Sequence, residues 1–316
     1  VTATPTTRPA GATPPDASAV PARRRRASRF SPGDVAVIGL LLGIPVLLDL
    51  ALIWGPAIAS IGLSFTAWNG ISDPKAVGFG NYADIVSNYP PFWPAVRNNV
   101  WWLLFLGLVA TPLGLFLAVL LDKQVKFSRF YQTALYLPVV LSLAVVGFIA
   151  QLIYSRDYGI ANALLGRTGN PIDWLGDPSI NLWSVLLLAG WRHVGYVMLL
   201  YLAGLKSVDP ALREAAAIDG ANEAQTFFRV VFPALRPVNI IVFVITVIEA
   251  LRAFDVVYAI NRGRNGLELL SVLVIDNIVG EASRIGFGSA VAVILLLISL
   301  VFIATYLVQV FREDAR

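Results

Sequence analysis

Residues 182–205, LWSVLLLAGWRHVGYVMLLYLAGL, run directly into residues 206–237, KSVDPALREAAAIDGANEAQTFFRVVFPALRP, and the change of character at Lys206 decides the fold. The first run is apolar over the roughly 20 helical residues that a hydrocarbon core requires. The second is broken up by charges, Gly and Pro, and its irregular backbone could not be left facing lipid. An apolar span followed by an elaborate polar connection is the pattern of a polytopic membrane protein.

The pattern repeats outward from that point. Val35–Ile61, Asn98–Leu121, Tyr131–Tyr154, Val238–Ile260 and Phe287–Phe311 also reach spanning length, each bounded by charge, Gly/Pro clusters or Trp/Tyr. The expected fold class is therefore all-α, a polytopic membrane protein with six transmembrane helices. A seventh apolar stretch, Leu267–Val279, is too short to cross and reads as an interfacial or re-entrant helix on the outer side. Composition agrees: 57% of residues are hydrophobic and 14% charged, whereas soluble domains carry about 25% charge. The chain has too little charge to make a water-facing skin.

Residues 1–34 are rich in Pro, Ala and Thr and end in Arg23–Arg26 and Arg29. Such a stretch buries too little apolar surface to offset its ordering, so it reads as a disordered basic cytoplasmic tail. The apolar run behind it exceeds a signal-peptide core and reads as a retained first span. The expected organisation is this tail, residues 35–94 as first span and outer segment, and residues 95–311 as the main membrane domain, with the polar connection 206–237 inside it.

Orientation follows from the basic residues, which accumulate on the cytoplasmic side. With the N-terminus inside, the inner side holds Arg8, Arg23–Arg26, Arg29, Lys123, Lys126, Arg129, Lys206, Arg213, Arg229, Arg236, Arg312 and Arg316. The outer side holds only Lys75, Arg97, Arg156, Arg167, Arg262, Arg264 and Arg284. Six spans then place both termini in the cytoplasm. The pI near 9.4 becomes a topology signal, and nucleic-acid binding is not expected. The absence of cysteine and the single histidine, His193, argue against thiolate or multi-histidine metal sites.

The connection 206–237 is the longest on the inner side. Asp209-Pro210 is a strong helix start, the Asp capping free N–H groups and the Pro losing nothing at the first position. A short helix with an alanine face, Leu212–Ile218, is stopped by Asp219-Gly220. Asn222 with Gln225 three residues on is a capping box that opens a second helix presenting Phe227, Phe228, Val230 and Val231, closed by Pro233 and Pro237. Two readings of this pair stand on the residues alone: an amphipathic element resting on the membrane, or a device for docking into a partner.

The run Glu214-Ala215-Ala216-Ala217-Ile218-Asp219-Gly220-Ala221, with Phe227 or Phe228, Val231, Pro233, Leu235 and Pro237, resembles the EAA loop of permease subunits in binding-protein-dependent ABC importers. Other segments extend the resemblance to the larger-partner carbohydrate permeases of the maltose, lactose and glycerol-phosphate type. They are Ser64–Asn69, Gly78–Tyr82 and Phe92-Trp93; Asp157–Asn162 and Asp173–Leu175; and Trp191, Gly195 and Leu202–Leu205. Many relatives carry a Thr-Gly-Gly-Gly-Pro turn after the fifth span, where this chain reads Asn261-Arg262-Gly263-Arg264-Asn265-Gly266, which leaves the solute open.

The resemblance implies the type-1 ABC importer permease fold in a bacterial plasma (inner) membrane, with a cytoplasmic coupling helix between helices 4 and 5. It assigns Glu214, Ala215, Ala216, Asp219, Gly220, Ala221, Phe227 and Pro233 to contact with a cytoplasmic ATPase dimer. It also implies a second related permease subunit and an extracytoplasmic substrate-binding protein. The chain has no G-x-x-x-x-G-K-[ST] phosphate loop. ATP and magnesium are therefore expected in the partner ATPase, and the chain itself as a non-catalytic subunit without a cofactor.

Ionisable residues inside spans are costly and mark functional candidates. Glu249, Arg252 and Asp255 stand at helical spacing, followed by Tyr258 and Asn261. Either the acids and the base neutralise one another and lock spans together, or with Trp191 and Tyr196 they line a solute path. Arg192 reads as snorkelling to the outer interface. The same acid–base set also admits an ion-coupled secondary transporter using Glu249, Arg252 and Asp255 as its relay.

Overall fold

The computed structural model describes residues 31–123, 126–280 and 283–314. The predicted tail lies outside the described residues up to position 30. The described residues divide into two units between Gly55 and Pro56.

In the first unit helix begins at Pro32, three residues before the expected boundary. The reason is local: Ser31 and Asp34 form a capping box, with Asp34 N donating to Ser31 Oγ at 3.2 Å and Ser31 N to Asp34 Oδ2 at 2.9 Å. The span itself, α1 (Ala36–Leu63), carries a π-helical turn at Leu50–Trp54, just before Pro56.

In the second unit a two-stranded hairpin, β1 (Thr66–Ala67) and β2 (Lys75–Ala76), leads to α2 (Gly80–Asn88). The long α3 (Phe92–Asp122) contains a π turn at Leu106–Ala110 ahead of Pro112. The third predicted span is a pair, α4 (Ser128–Val140) and α5 (Leu143–Ile153), bent by 102°. Pro138 has no backbone N–H to donate, and Ser142 caps the helix that follows, so the bend falls between them. After α6 (Ile160–Leu164) comes α7 (Asn181–Ser207), the most buried of the spanning helices.

The connection beyond it holds α8 (Pro210–Ile218) and α9 (Glu223–Thr226), which continues through a π turn at Phe227–Val231 into Phe232–Ala234. The fifth predicted span is broken into α10 (Arg236–Leu251) and α11 (Asp255–Asn261). The short seventh stretch forms α12 (Leu270–Ile278), and α13 (Ile285–Asp314) closes the chain. Among the described residues, four helices are long and apolar enough to cross a membrane, or five if the bent α4–α5 pair is one span.

Helix α7 is the axis of packing. Gly114 on α3 faces it so closely that a Cβ there would lie 2.9 Å from Val197 Cβ, and a Cβ on Gly195 would lie 2.2 Å from the Leu135 carbonyl of α4. Small residues that let backbones meet are the usual means of helix association where lipid removes the hydrophobic drive. Trp102, Leu106, Val146, Val185, Leu186 and Val257 form one buried cluster; Ala118, Met198, Tyr201, Val231 and Leu235 form a second beneath the α8–α9 connection. Helix α12 is buried against α3 and α13 through Leu270, Leu273, Phe287 and Ala290, so it is packed on protein rather than lying free at an interface.

Candidate functional site

Two features stand out, one at the end of the helices and one within them. At the end, Asp209 accepts a hydrogen bond from Ala211 N at 2.9 Å and starts α8. Asp219 N, Gly220 N and Ala221 N then return to the carbonyls of Ala215, Ala217 and Ala216, closing α8 with a left-handed Gly220 at φ +78°. Asn222 and Gln225 form the expected capping box, at 2.8 and 3.0 Å.

The pair is anchored to the bundle by its basic and apolar residues. Arg213 donates to Asp122 at the end of α3 at 2.9 Å, and Ala216, Val231 and Leu235 are buried. Lys123 meets Glu223 at 2.6 Å, and that hydrogen bond, with the lysine's charge, holds the Glu223 carboxyl below the usual range. Glu214, Ala215, Asp219, Gly220 and Pro233 face outward, Ala221 and Phe227 are half-buried, and only Ala216 of the predicted docking residues is buried. Ile218 is 87% exposed and Phe228 67%, although both are large and apolar.

Within the helices a cavity of about 250 Å³ opens between α3, α5, α7 and the α10–α11 break, lined by Trp102, Arg192, Glu249, Arg252, Phe254 and Asp255. Here the structure corrects the sequence reading. Glu249, Arg252 and Asp255 are not successive turns of one helix, because α10 ends at Leu251 and α11 restarts at Asp255. Glu249 pairs instead with Arg192 of α7 at 3.4 Å, the two side chains 34% and 18% exposed. Arg192 therefore turns inward to an acid rather than snorkelling outward. Arg252 forms no ion pair among the described residues, and with Asp255 it also borders a second recess of about 470 Å³.

The other predicted path residues stand elsewhere. Tyr258 stacks on Phe254 at 4.8 Å. Asn261 spends its amide on the following turn, donating to Arg264 O and accepting from Arg264 N. Trp191 and Tyr196 are not among the cavity's lining residues.

Sequence reasoning missed two hydroxyls beside His193. Thr246 Oγ1 donates to Val242 O at 2.7 Å and lies 3.2 Å from His193 Nε2; Thr111 Oγ1 lies 3.4 Å from the same nitrogen. The other ring nitrogen, Nδ1, is buried without a partner among the described residues. Spacing does carry a signal, since Thr246 lies one turn before Glu249 and His193 beside Arg192. The second helices of the two broken pairs are also clamped together: Gln151 on α5 donates to the carbonyls of Ala259 and Ile260 at 2.7 and 3.2 Å.

Known proteins place this geometry. The chain is 34% identical over 280 residues to a xylose/arabinose import permease protein of Haloferax volcanii, covering 86% of this chain and 87% of that one. It is 33% identical over 287 residues to an arabinooligosaccharides transport system permease protein of Halalkalibacterium halodurans, covering 88% and 89%. In fold it matches a chain of a bacterial ABC transporter involved in the import of the acidic polysaccharide alginate, with a TM-score of 0.75 at 21% identity over 89% of this chain and 98% of that one. Residues 110–316 match the family of binding-protein-dependent transport system inner membrane components. The family settles the choice that the acid–base set left open in favour of binding-protein-dependent transport over an ion-coupled carrier. A mostly helical, multi-pass chain with the type-1 ABC permease fold, it belongs to the family of inner membrane permease components of binding-protein-dependent transport systems.

Proposed function

We propose that this chain forms half of the translocation path of an ATP-driven carbohydrate importer and couples to a separate ATPase dimer through α8 and α9. A second related permease supplies the other half of the path, and an extracytoplasmic binding protein delivers the solute. Carbohydrate is favoured by the pentose and arabinooligosaccharide permeases among the relatives. In this reading α4–α5 and α10–α11 each make one broken span, giving six, and the excess of basic residues puts both termini and the α8–α9 connection in the cytoplasm. Broken helices near mid-membrane are tolerated where they border a cavity, as the α10–α11 break does.

The observation that carries the proposal is the α8–α9 pair. It is capped at each start, pinned to the bundle through Asp122 and Arg213, and still presents Ile218 and Phe228 uncovered. Hydrolysis belongs to the partner, because this sequence lacks a phosphate loop. Closure of the ATPase dimer would press on α8, tilt the helices that Arg213 ties together and open the path outward. Glu214, Ala215 and Asp219 face the ATPase, and Gly220 sets the turn that fixes their direction.

Gly220→Val tests this. Nothing lies within 4 Å of a Cβ at Gly220, so a branched residue strains only the backbone, by about 1–2 kcal/mol. The expected result is a protein that inserts and assembles while uptake falls about tenfold or more relative to ATP hydrolysed. Normal uptake by the variant would overturn the coupling role.

A further inference from the structure

The segment between α1 and α3 carries a family-like pattern that transport by the intramembrane cavity does not use. Its residues Trp68, Asn69, Asp84, Asn88 and Tyr89, together with Arg284 at the start of α13, line an open groove of about 530 Å³. Sites for small organic ligands span roughly 300–1,000 Å³. Tyr89 stands just before α3 and Trp102 ten residues inside it, so the groove lies about 15 Å along the helix from the cavity. The α8–α9 connection is at the other end of α3, bonded to Asp122.

The groove is built and fixed in advance. Helix α13 starts against β1, Gly286 N donating to Trp68 O at 3.1 Å, and a Cβ on Gly286 would fall 1.9 Å from Thr66 O. Trp68 Nε1 donates to Ser72 O at 2.7 Å, which holds the indole. Asn69 Oδ1 accepts from Ile71 N, Ser72 N and Ser72 Oγ at 3.1, 2.9 and 2.8 Å. Arg284 lies 4.4 Å over the Phe287 ring and 5.6 Å from that of Tyr89, and its Nη2 donates to Asn277 Oδ1 at 2.7 Å.

Other polar groups in the groove are uncommitted. Asn88 Nδ2 donates to Asp84 Oδ1 at 3.1 Å, which leaves Asp84 Oδ2, Asn88 Oδ1 and the Asn69 amide nitrogen without partners among the described residues. These planar donors and acceptors are suited to pairs of vicinal hydroxyls, and aromatic faces beside them suit an apolar C–H surface. An acidic protein partner would instead need a free cation, and Arg284 is already engaged with Asn277 and two rings.

We propose that this groove is a second saccharide site, separate from the path, taking one or two neutral sugar units with hydroxyls on Asp84 and Asn88 and a ring face on Trp68 or Tyr89. It rests on the carbohydrate reading above. The test uses the assembled importer in lipid nanodiscs without its binding protein, titrated with maltotriose, xylotriose and arabinotriose by saturation-transfer NMR. At least one should bind, and Asp84→Ala and Asn88→Ala should each weaken it about fivefold to tenfold. Asp255→Ala should leave this binding in place. Binding unchanged in both groove variants, with uptake of the same sugar intact, would overturn the groove while sparing the carbohydrate reading. Asp84→Ala that lowers binding-protein-stimulated hydrolysis but not sugar binding would make the groove a protein contact and overturn it equally. If none of the three sugars is bound or taken up by the unmodified importer, the carbohydrate reading falls and the groove with it.

Discussion

The α8–α9 connection and the α10–α11 break both interrupt the run of helices, and they are specified in different ways. Every device in the first is local. Asp209, Gly220 and the Asn222–Gln225 box act on backbone groups within a few residues of themselves. The second is specified from a distance. Nothing at Arg252–Phe254 is a helix breaker by propensity, yet the helix ends there; Glu249 is held by Arg192 on α7, Ser271 donates to the Ala253 carbonyl, and Asn99 donates to Ala250 O at 3.2 Å. An exposed turn must cap its own ends. A break inside a packed membrane domain can have its freed carbonyls satisfied by neighbouring helices.

The contrast predicts unequal responses to mutation. The largest effect should come from the Arg192–Glu249 pair. Glu249→Gln leaves a guanidinium largely buried without its acid, and uptake should fall about tenfold or more. The exchange Arg192→Glu with Glu249→Arg should recover much of it if the pair holds α7 to α10. Uptake that is normal in Glu249→Gln, or equally poor in the exchanged pair, would show that the break is not set by this contact. A middle effect is expected at the cap: Asn222→Ala should cost about 1 kcal/mol of local helix stability, read as faster hydrogen exchange confined to α9. Exchange that spread into α10 would contradict the locality of the connection. The smallest effect belongs to Lys123→Gln, because Lys123 and Glu223 meet at the surface with side chains 54% and 86% exposed. Thermal stability and uptake should match the parent within error.

What could be read from the sequence divides along the same line. The spanning helices α1, α3, α7 and α13 follow from apolar length alone, and α8 and α9 from capping residues whose partners lie nearby. The bend at Ser142 had a partial signal in Pro138. The break after Leu251 had none, because Glu249, Arg252 and Asp255 keep helical spacing, and only the fold shows that Glu249 reaches across to α7. Arg192 departs from expectation for the same reason. A guanidinium near a span end looks like a snorkelling residue until its acid on another helix is known. The Asn261 amide, expected in the path, goes to the backbone of an unusual turn with left-handed Arg262, Gly263, Asn265 and Gly266. The groove around Trp68 needed α13 brought against β1, a contact between residues far apart in the chain.

If α8 carries the connection to an ATPase, its exposed Ile218 should stand against that partner. The chain has no cysteine, so Ile218→Cys introduces a unique thiol on an exposed position outside the bundle. In the assembled importer a maleimide-linked benzophenone on residue 218, which inserts into neighbouring C–H bonds on illumination, should link to the ATPase subunit, and the yield should change when ATP is added. A link that forms only to lipid or to the second permease, with none to the ATPase in either state, would show that α8 does not make this connection.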